Sequence, residues 1–388
     1  MRILFLAPHP FYQDRGTPIA VKLMLQTLSE RGEEVDLLTY HEGKEVSYPN
    51  ICIHRIANLG FVRNVRPGFS WKKVICDFFM FLSMCSMLLK KRYDIVHAVE
   101  ESAFMAIFVK MLIRIPYIYD MDSSMAQQIV EKSPSLKPIS RLLDLLEGVA
   151  VKKALAVMPV CEALADIALT HDRNKKVLIL HDVPLSTENK NGQNINIGNE
   201  IETSGLRVVY VGNLEPYQGI DLLLKSFQMV LAKRNSTNLV IVGGMDSDIQ
   251  KYKSKCKQLG IAEKVHFVGQ RPIDNLEGYL QQADILVSPR ITGKNTPMKI
   301  YSYLQSGKAV LATNINSHTQ LLNDQVAAIA EPTPEAFSGS LLQLVEDGAL
   351  RMKIGAAGKR LVEQQYSLES FKEKVNDLYD WVERNINN

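Results

Sequence analysis

Residues 288–307 have the sequence Ser288-Pro-Arg-Ile-Thr-Gly-Lys-Asn-Thr-Pro-Met-Lys-Ile-Tyr-Ser-Tyr-Leu-Gln-Ser-Gly307. They predict the end of a buried strand, a polar loop, and a helix with Thr296 as N-cap, Pro297 at its first position and Gly307 after its end. A helix N-terminus beside Lys294 and Lys299 offers an anion backbone N–H groups, a favourable dipole and two cations. The segment predicts either a diphosphate site or an ordinary capped helix with surface lysines.

Length and composition bound the class of protein. The 388 residues are 46% hydrophobic and 22% charged, which is typical of a globular chain of two or three domains. The net charge of +3 gives no reason to expect a nucleic-acid partner. The five cysteines show no CxxC or Cys/His ligand spacing, which predicts packed thiols in a reducing compartment. The N-terminal apolar run is too short for a signal peptide, so a cytoplasmic protein is expected.

Short apolar runs alternate with helical patterns along the chain. Strands are predicted at 2–7, 34–39, 51–54, 94–97, 117–120, 155–159, 177–180, 206–211, 238–242, 264–268, 283–287, 309–313 and 327–330. Helices of the first half are predicted at 18–31, 70–91, 102–113, 124–131, 138–153 and 162–170. The strand runs lack polar alternation, so both sheet faces should be covered, as in parallel sheets with right-handed crossovers.

A polar, turn-rich segment divides these elements into two sets. We therefore expect an N-terminal domain at 1–182, a linker at 183–205 and a C-terminal domain at 206–366. A final helix is expected within 367–388, because its apolar residues recur at helical spacing.

Several short motifs follow one another in a recognisable order. They are Arg15-Gly-Thr17, Asp94-Ile-Val-His97, Val211-Gly-Asn-Leu-Glu-Pro-Tyr-Gln-Gly219, Leu239-Val-Ile-Val-Gly-Gly244, Val265-His-Phe-Val-Gly269, and Thr296–Gly307 followed by Ala309-Val-Leu-Ala-Thr313. As a set they resemble the GT-B glycosyltransferases of family 4. The resemblance implies an α/β fold with two Rossmann-like, doubly wound parallel-sheet domains that face a central cleft. It also implies a nucleotide-sugar donor on the C-terminal domain, an acceptor on the N-terminal one, and a final helix that returns to the N-terminal domain.

The chain departs from this family at charged positions. The family usually has a basic residue and a lysine that contact the donor diphosphate, where this chain has Asn213 and Gln218. It also has two glutamates, the second of which holds the ribose hydroxyls, where this chain has Lys294 and Ser302. A histidine that is usual after the fifth strand corresponds to about the position of Asp122.

Two hypotheses fit these departures. In the first, Lys294, Lys299 and Arg290 neutralise the diphosphate, while Asn213 and Gln218 donate neutral hydrogen bonds. In the second, activity is lost and the fold binds something else. The gain of lysine in the loop favours the first hypothesis, because decay would leave neutral residues there.

The expected function is the transfer of a sugar from a nucleoside-diphosphate sugar to a glycan or lipid-linked glycan acceptor, with retention at the anomeric carbon. The expected cofactor set is empty, since lysines and helix dipoles replace a metal. Asp120-Met-Asp122 has the spacing of a metal motif, but carboxylates that cap a strand end explain it as well. The alternatives are a catalytically silent sugar-nucleotide-binding subunit and a nucleotide-sugar epimerase, which needs the glutamates that this chain lacks.

The expected site residues fall into three groups. The predicted catalytic residues are Asp122 and Lys294. The predicted donor-binding residues are Asn213, Gln218, Gly243, Arg290, Lys294, Asn295, Thr296, Pro297, Lys299 and Ser302. The predicted acceptor-binding residues are Arg15, Gly16, Thr17 and His97. For Gly16-Thr17 a simple helix-entry turn is the alternative, and for His97 a satisfied core histidine.

An apolar helical segment at 74–89 is flanked by basic residues within 63–92. It is too short to span a bilayer and contains Asp77. It predicts either a helix packed on the sheet or an in-plane contact with anionic headgroups at the inner face of a membrane. A lipid-linked acceptor would suit the second alternative.

Overall fold

The computed structural model describes residues 1–13, 16–63, 65, 70–124, 137–185 and 205–386. The chain divides into two compact units. Unit 1 contains Met1–His181 and Phe371–Asn388, and unit 2 contains Asp182–Ser370. Each unit has a six-stranded parallel sheet with helices between its strands, so the predicted doubly wound α/β architecture is confirmed.

In unit 1 the sheet order is β3-β2-β1-β4-β5-β6. The strands are β1 (Arg2–Ala7), β2 (Glu34–Thr39), β3 (Ile51–Arg55), β4 (Ile95–Val99), β5 (Tyr117–Met121) and β6 (Ala156–Pro159). The helices are α1 (Gly16–Glu30), α2 (Trp71–Lys90), α3 (Ser102–Ile113), α4 (Lys137–Lys153) and α5 (Glu162–His171). Strands β4, β5 and β6 are buried along their whole length, which explains why their sequences lack polar alternation.

Four expectations from the sequence need correction or concern residues outside the described ranges. Residues 177–180 do not form a strand, because Val177 makes only an isolated bridge to Val157. Helix α1 begins at Gly16, two residues before the predicted start of the helix at 18–31, so Thr17 lies inside its first turn. Apart from Ser124, the helix predicted at 124–131 lies outside the described residues, as do residues 186–204 of the predicted linker.

In unit 2 the sheet order is β12-β11-β10-β7-β8-β9. The strands are β7 (Leu206–Val211), β8 (Thr237–Val242), β9 (Val265–Gly269), β10 (Ile285–Ser288), β11 (Ala309–Thr313) and β12 (Ala328–Ala330). The helices are α6 (Ile220–Leu231), α7 (Asp246–Gln258), α8 (Leu276–Gln281), α9 (Lys299–Gln305), α10 (Asn316–Thr319), α11 (Pro334–Glu346) and α12 (Gly348–Gln365).

Helix α9 begins later than the sequence predicted. Its first residue is Lys299, it is preceded by Met298 in a helical conformation, and no side chain caps it. The carbonyl of Pro297 accepts the N–H of Ile300 at 2.9 Å, so a tighter turn spanning three residues precedes the α-helix. Thr296 and Pro297 therefore lie in the approach to the helix. The predicted end is confirmed, because Gly307 follows it with a φ of +72°.

The final helix, α13 (Leu368–Asn385), packs on unit 1 from Phe371 onward. Its buried stripe consists of Phe371, Val375, Leu378, Tyr379 and Val382. Arg31 reaches it from the end of α1, with Nη2 at 2.6 Å from Asp380 Oδ1.

A buried hydrogen-bond chain connects this helix to the sheet. His97 on β4 is fully buried, its Nε2 donates to Asp120 Oδ2 at 3.1 Å, and its Nδ1 accepts from the Tyr379 hydroxyl at 2.8 Å. The ring stacks on Phe5 with 4.2 Å between centroids. Burial raises the pKa of Asp120, although the hydrogen bond from His97 acts in the opposite direction.

We expect Tyr379→Phe to destabilise unit 1 by about 1–3 kcal/mol, because it leaves the buried Nδ1 of His97 without its donor. Both tryptophans of the chain, Trp71 and Trp381, belong to unit 1, so urea unfolding followed by tryptophan fluorescence reports on this unit. Asn376→Ala, at an exposed position of α13, is the matched control and should change stability by less than about 0.5 kcal/mol. Equal unfolding curves for the two variants would contradict the role of this hydrogen bond.

Candidate functional site

The candidate site lies at the carboxyl ends of the central strands of unit 2. The chain passes from β7 to β8 on one side and returns to β10 on the other, so the strand order reverses between β7 and β10. Ligands of doubly wound sheets bind at this point, outside the carboxyl ends of the strands. The loop at 212–219 follows β7 and the loop at 289–298 follows β10, and a hydrogen bond from Ile291 N to Tyr217 O at 2.9 Å joins them.

Two glycines leave the backbone bare at the ends of β7 and β8. Gly212 donates its N–H to Val242 O at 3.0 Å, and Gly243 donates to Gly269 O at 2.7 Å. A Cβ at Gly243 would lie 2.2 Å from the carbonyl oxygen of Gly212, and the φ of +112° at Gly243 also disfavours a side chain. Gly243 therefore permits the two strand ends to approach each other, which makes it a scaffold for the predicted donor site.

Lys299 brings an ammonium group into this region. Its Nζ donates to Gln218 Oε1 at 3.0 Å and lies 4.1 Å from the centroid of the Tyr210 ring. It is also next to Gly212, where an added Cβ would lie 3.2 Å from Nζ. Two predicted donor-binding residues from distant segments, Gln218 and Lys299, are thus in direct contact.

The environment of Lys299 disfavours its charge. Burial lowers the pKa of this ammonium well below its usual range, and the positive charge of Arg290 lowers it further. Within the described part of the chain, no carboxylate forms an ion pair with it. An anion bound here would supply the missing negative charge.

Helix α9 is held to the end of β7 by Tyr303. The hydroxyl accepts the N–H of Val211 at 2.7 Å and donates to the carbonyl of the same residue at 3.3 Å. This double contact holds α9, the helix that begins with Lys299, against the strand that leads into the 212–219 loop. The roles of Tyr303 and Tyr210 could not be predicted from the sequence, because aromatic residues on a strand or helix are usually core residues.

Arg290 organises the loop in which it lies. Its guanidinium donates to Thr292 O at 2.7 Å, to Asn295 O at 3.1 Å and to Asn295 Oδ1 at 3.1 Å. It also lies 5.3 Å from the Tyr217 ring and is almost fully buried. Arg290 and Asn295, both predicted to bind the donor, are therefore partners of each other and shape the loop around Lys299.

The remaining predicted donor residues occupy different environments. Asn213 is exposed, its Nδ2 donates to the Tyr217 hydroxyl at 3.3 Å, and its Oδ1 accepts the N–H of Glu215 at 3.2 Å. Lys294 is exposed, and its carbonyl accepts from Gln320 at 2.8 Å. Ser302 is buried and its Oγ accepts the N–H of Leu185 at 3.0 Å, so part of its hydrogen-bonding capacity is already used.

A buried histidine stabilises the neighbouring strand ends. The Nε2 of His318 lies 2.9 Å from Ser288 Oγ, and its Nδ1 donates to Thr313 O at 3.0 Å. Burial lowers the pKa of His318 to about 3, so the ring is neutral at physiological pH. It joins β10 to β11 and is a structural residue of the site.

The predicted acceptor-binding and catalytic residues of unit 1 lie in separate places. Arg15 lies outside the described residues, and Gly16 and Thr17 form the first turn of α1. Asp122 is half-buried just after β5. His97 is enclosed by Asp120 and Tyr379 and is not exposed at all, which corresponds to the core alternative for this ring; its contact with an acceptor stays a prediction.

A cluster of charged side chains at the carboxyl edge of unit 1 was not recognised in the sequence. Lys73 Nζ lies 2.5 Å from Glu101 Oε1 and 3.8 Å from Glu100 Oε2, while the Tyr40 hydroxyl donates to Asp77 at 2.5 Å. Burial raises the pKa of Glu101 to about 8 and that of Asp77 to about 6. The cluster was missed because its members come from three separate segments.

Two family profiles match this chain, one within each unit. The profile of "Glycosyl transferase 4-like domain" matches residues 15–181, and that of "Glycosyl transferases group 1" matches residues 193–361. The chain belongs to this family of glycosyltransferases. The protein is therefore an enzyme that transfers a sugar from a nucleotide-sugar donor, and its two sheets are those of the GT-B fold.

Individual relatives of this glycosyltransferase are distant. An uncharacterised glycosyltransferase of Methanocaldococcus jannaschii is 24% identical over 94% of both chains. The phosphatidyl-myo-inositol mannosyltransferase of Mycobacterium leprae is 23% identical over 46% of this chain and 47% of its own length. The crystal structure of Anabaena HepE in complex with UDP has a TM-score of 0.75 at 13% identity, covering 98% of this chain and all of that one. At this identity the structural likeness shows the fold alone.

Proposed function

We propose that this glycosyltransferase moves a sugar from a nucleoside-diphosphate sugar to a glycan or lipid-linked glycan acceptor, without a metal ion and with retention at the anomeric carbon. The observation that supports the proposal best is the position of Lys299, whose ammonium contacts Gln218 beside Gly212 and lacks a carboxylate partner in the described part of the chain. This is the environment that a diphosphate would complete.

The charges explain why a lysine can take the place of a metal. When the sugar leaves, negative charge develops on the diphosphate and positive charge on the anomeric carbon. An ammonium group that is already in position stabilises the diphosphate without reorganisation, and charge-assisted hydrogen bonds to phosphate oxygens are among the strongest in proteins. In this proposal Lys299 contacts the diphosphate from within the site, and the exposed Lys294 approaches it from the loop.

The chemical step is then a displacement in which the departing diphosphate also acts as the base. The acceptor oxygen forms a bond to the anomeric carbon as the bond to the diphosphate oxygen breaks. For retention, the acceptor approaches the same face of the sugar, and its proton passes to the departing diphosphate. Asp122 supplies negative charge to the cationic sugar. The configuration of the first-formed product, read by NMR, tests retention.

The residue at position 218, in the loop after β7, supports the proposal that Lys299 replaces a cation of the family. The family resemblance implies a lysine at position 218, and this chain has Gln218 there, with the ammonium of Lys299 bonded to it. The ammonium is therefore retained next to this position although it comes from another segment. Neutral Asn213 and Gln218 are left to orient the cation and to donate hydrogen bonds.

We expect Lys299→Met to weaken binding of a nucleoside diphosphate by about 1.5–3 kcal/mol, the scale of a hydrogen bond to a charged group. Methionine preserves most of the buried stem, so the unit should fold. Calorimetric titration with UDP, GDP and ADP measures the effect, and the effect of Lys294→Ala should be no larger. Lys233→Met, at an exposed position after α6, is the control.

The protonation state of Lys299 should also make the binding of a nucleoside diphosphate depend on pH. Because its pKa is lowered in the protein and a diphosphate would raise it, binding should take up protons, and affinity should fall as pH rises through the lowered pKa. Titrations in buffers of different ionisation enthalpy detect this uptake, and Lys299→Met should abolish it. Unchanged affinity in Lys299→Met, Lys294→Ala and the double variant would contradict the proposed site.

Transfer should survive treatment with EDTA, because lysines supply the charge that a metal supplies in other enzymes. The measurement is the rate of nucleoside-diphosphate release in the presence of donor and acceptor, before and after the chelator. A loss of turnover that Mn²⁺ or Mg²⁺ restores would contradict metal independence and direct attention to Asp120 and Asp122.

The acceptor class is supported by an exposed apolar surface on unit 1. Trp71, Phe78 and Leu89 of α2 are 77%, 59% and 90% exposed, so α2 is only partly covered by neighbours. The surface continues onto the next helices, and the centroids of Phe81 on α2 and Phe108 on α3 are 5.0 Å apart. Its other large apolar members are Leu82, Met111, Leu112, Ile113, Leu142, Leu145 and Leu146.

Basic residues surround this surface. Exposed Lys72, Lys90, Arg92 and Arg114 lie at the ends of α2 and α3. Among the described residues, no helix is both long and apolar enough to cross a bilayer. Apolar side chains with a basic border match the headgroup region of an anionic membrane. We propose that segment 63–92, together with α3 and α4, contacts that surface, where a lipid-linked acceptor is presented.

Phe78→Ser combined with Leu82→Ser should weaken binding to phosphatidylglycerol-containing vesicles at least about tenfold, because each side chain loses roughly 1.5 kcal/mol or more of apolar burial. Co-sedimentation measures this, and added salt should reduce binding of the unaltered protein. Met352→Ser, which removes an exposed apolar side chain from unit 2, is the control. Equal sedimentation of both variants, or none with the unaltered protein, would contradict membrane contact.

A further inference from the structure

Three side chains with metal-binding atoms meet on the sheet of unit 1, away from the site described above. Asp36 lies on β2, and Cys52 and His54 lie on the neighbouring edge strand β3. One potential ligand atom from each of the three residues lies within 4.8 Å of those of the other two. Across the described residues, no other group of three His, Cys, Asp or Glu side chains comes together this closely.

The sheet itself produces this arrangement. Side chains two residues apart on a strand point to the same face, so Cys52 and His54 are on one side of β3. The parallel register pairs Cys52 with Asp36. A Cys-x-His spacing alone is not a recognised ligand motif, and the third member comes from another strand, so the sequence could not indicate the group.

The carboxylate of Asp36 is already oriented for a ligand. Its Oδ2 accepts hydrogen bonds from Lys91 Nζ at 2.6 Å and from the Tyr93 hydroxyl at 2.8 Å, while its Oδ1 accepts from His54 Nε2 at 3.1 Å. Outer contacts of this type hold metal-binding carboxylates in place. Asp36 is buried, whereas Cys52 is exposed, so the group is anchored on one side and open to solvent on the other.

We propose that Asp36 Oδ1, Cys52 Sγ and His54 Nε2 bind one Zn²⁺ ion, with water in the fourth position. Thiolate, imidazole and carboxylate are the zinc ligands of proteins, and a donor set with sulfur and nitrogen disfavours Mg²⁺ and Ca²⁺. Binding releases one proton from the Cys52 thiol, the proton of the neutral His54 ring moves from Nε2 to Nδ1, and the ion takes the place of the His54–Asp36 hydrogen bond.

The location gives the ion a structural role. Asp36 and Cys52 lie in the first half of their strands, next to the end of α2, and therefore near the amino edge of the sheet. Substrates of such folds bind at the opposite, carboxyl edge. A zinc ion here joins edge strand β3 to β2, and it takes no part in sugar transfer. The inference is therefore independent of the proposed function.

The test uses the full chain after dialysis against a chelator. Titration with Co²⁺ should produce a thiolate-to-cobalt charge-transfer band in the near ultraviolet at one ion per chain, and Zn²⁺ should displace the Co²⁺. Cys52→Ser should remove the band, and His54→Gln should weaken binding at least about tenfold. Cys85→Ser, which alters a partly buried thiol of α2, is the matched control and should leave binding unchanged.

The unfolding temperature and the alkylation rate of Cys52 provide two further tests of the zinc site. Zn²⁺ should raise the unfolding temperature of unit 1, followed by tryptophan fluorescence, in the unaltered chain and not in Cys52→Ser. It should also protect Cys52 from alkylation. The site would be refuted if the unaltered chain did not bind micromolar Zn²⁺, or if Cys52→Ser and His54→Gln bound it as tightly as the unaltered chain. Asp36, His54 and Lys91 would then form an ion-pair network only.

Discussion

The uncompensated charge of Lys299 is the constraint around which the carboxyl edge of unit 2 is arranged. Removing an ammonium group from water costs hydration free energy, which hydrogen bonds or an opposite charge must offset. Gln218 and the face of the Tyr210 ring provide part of this compensation, and both are neutral. The rest of the edge serves to hold this cation in place, since Tyr303 ties α9 to β7 and Arg290 shapes the loop after β10.

The same constraint connects the departures from the family with one another. The family resemblance implies basic residues at positions 213 and 218, and in this chain the ammonium of Lys299, at the start of α9, lies beside Gln218. A lysine is suited to this task because its long, flexible stem reaches back to Gln218 while the backbone stays in the helix. Gly212 leaves room for the ammonium, because a Cβ there would lie 3.2 Å from Nζ of Lys299.

In unit 1, by contrast, a buried lysine has carboxylate partners. Lys73 lies beside Glu100 and Glu101, and His97 lies between Asp120 and Tyr379, so each of these two cores of polar groups has a partner within unit 1. These networks stiffen the carboxyl edge of the sheet and attach the final helix. The apolar surface on α2, α3 and α4 is a separate feature, since helices that only covered the sheet would not leave Trp71 and Leu89 largely exposed.

The sequence by itself determined the alternation of strands and helices, the two parallel sheets and the family. These depend on local apolar runs, on Gly307 after a helix and on the order of short motifs, all of which are read along the chain. It misplaced the start of α9, because Thr296 and Pro297 have strong capping propensities and the three-residue turn that overrides them is set by contacts of the loop. Only the tertiary structure decided that Lys299 contacts Gln218, that Ser302 accepts the N–H of Leu185, and that His97 is enclosed by Tyr379. Each of these pairs is separated by dozens to hundreds of residues, and parallel strands with helical crossovers bring such residues together without leaving any local signal in the sequence.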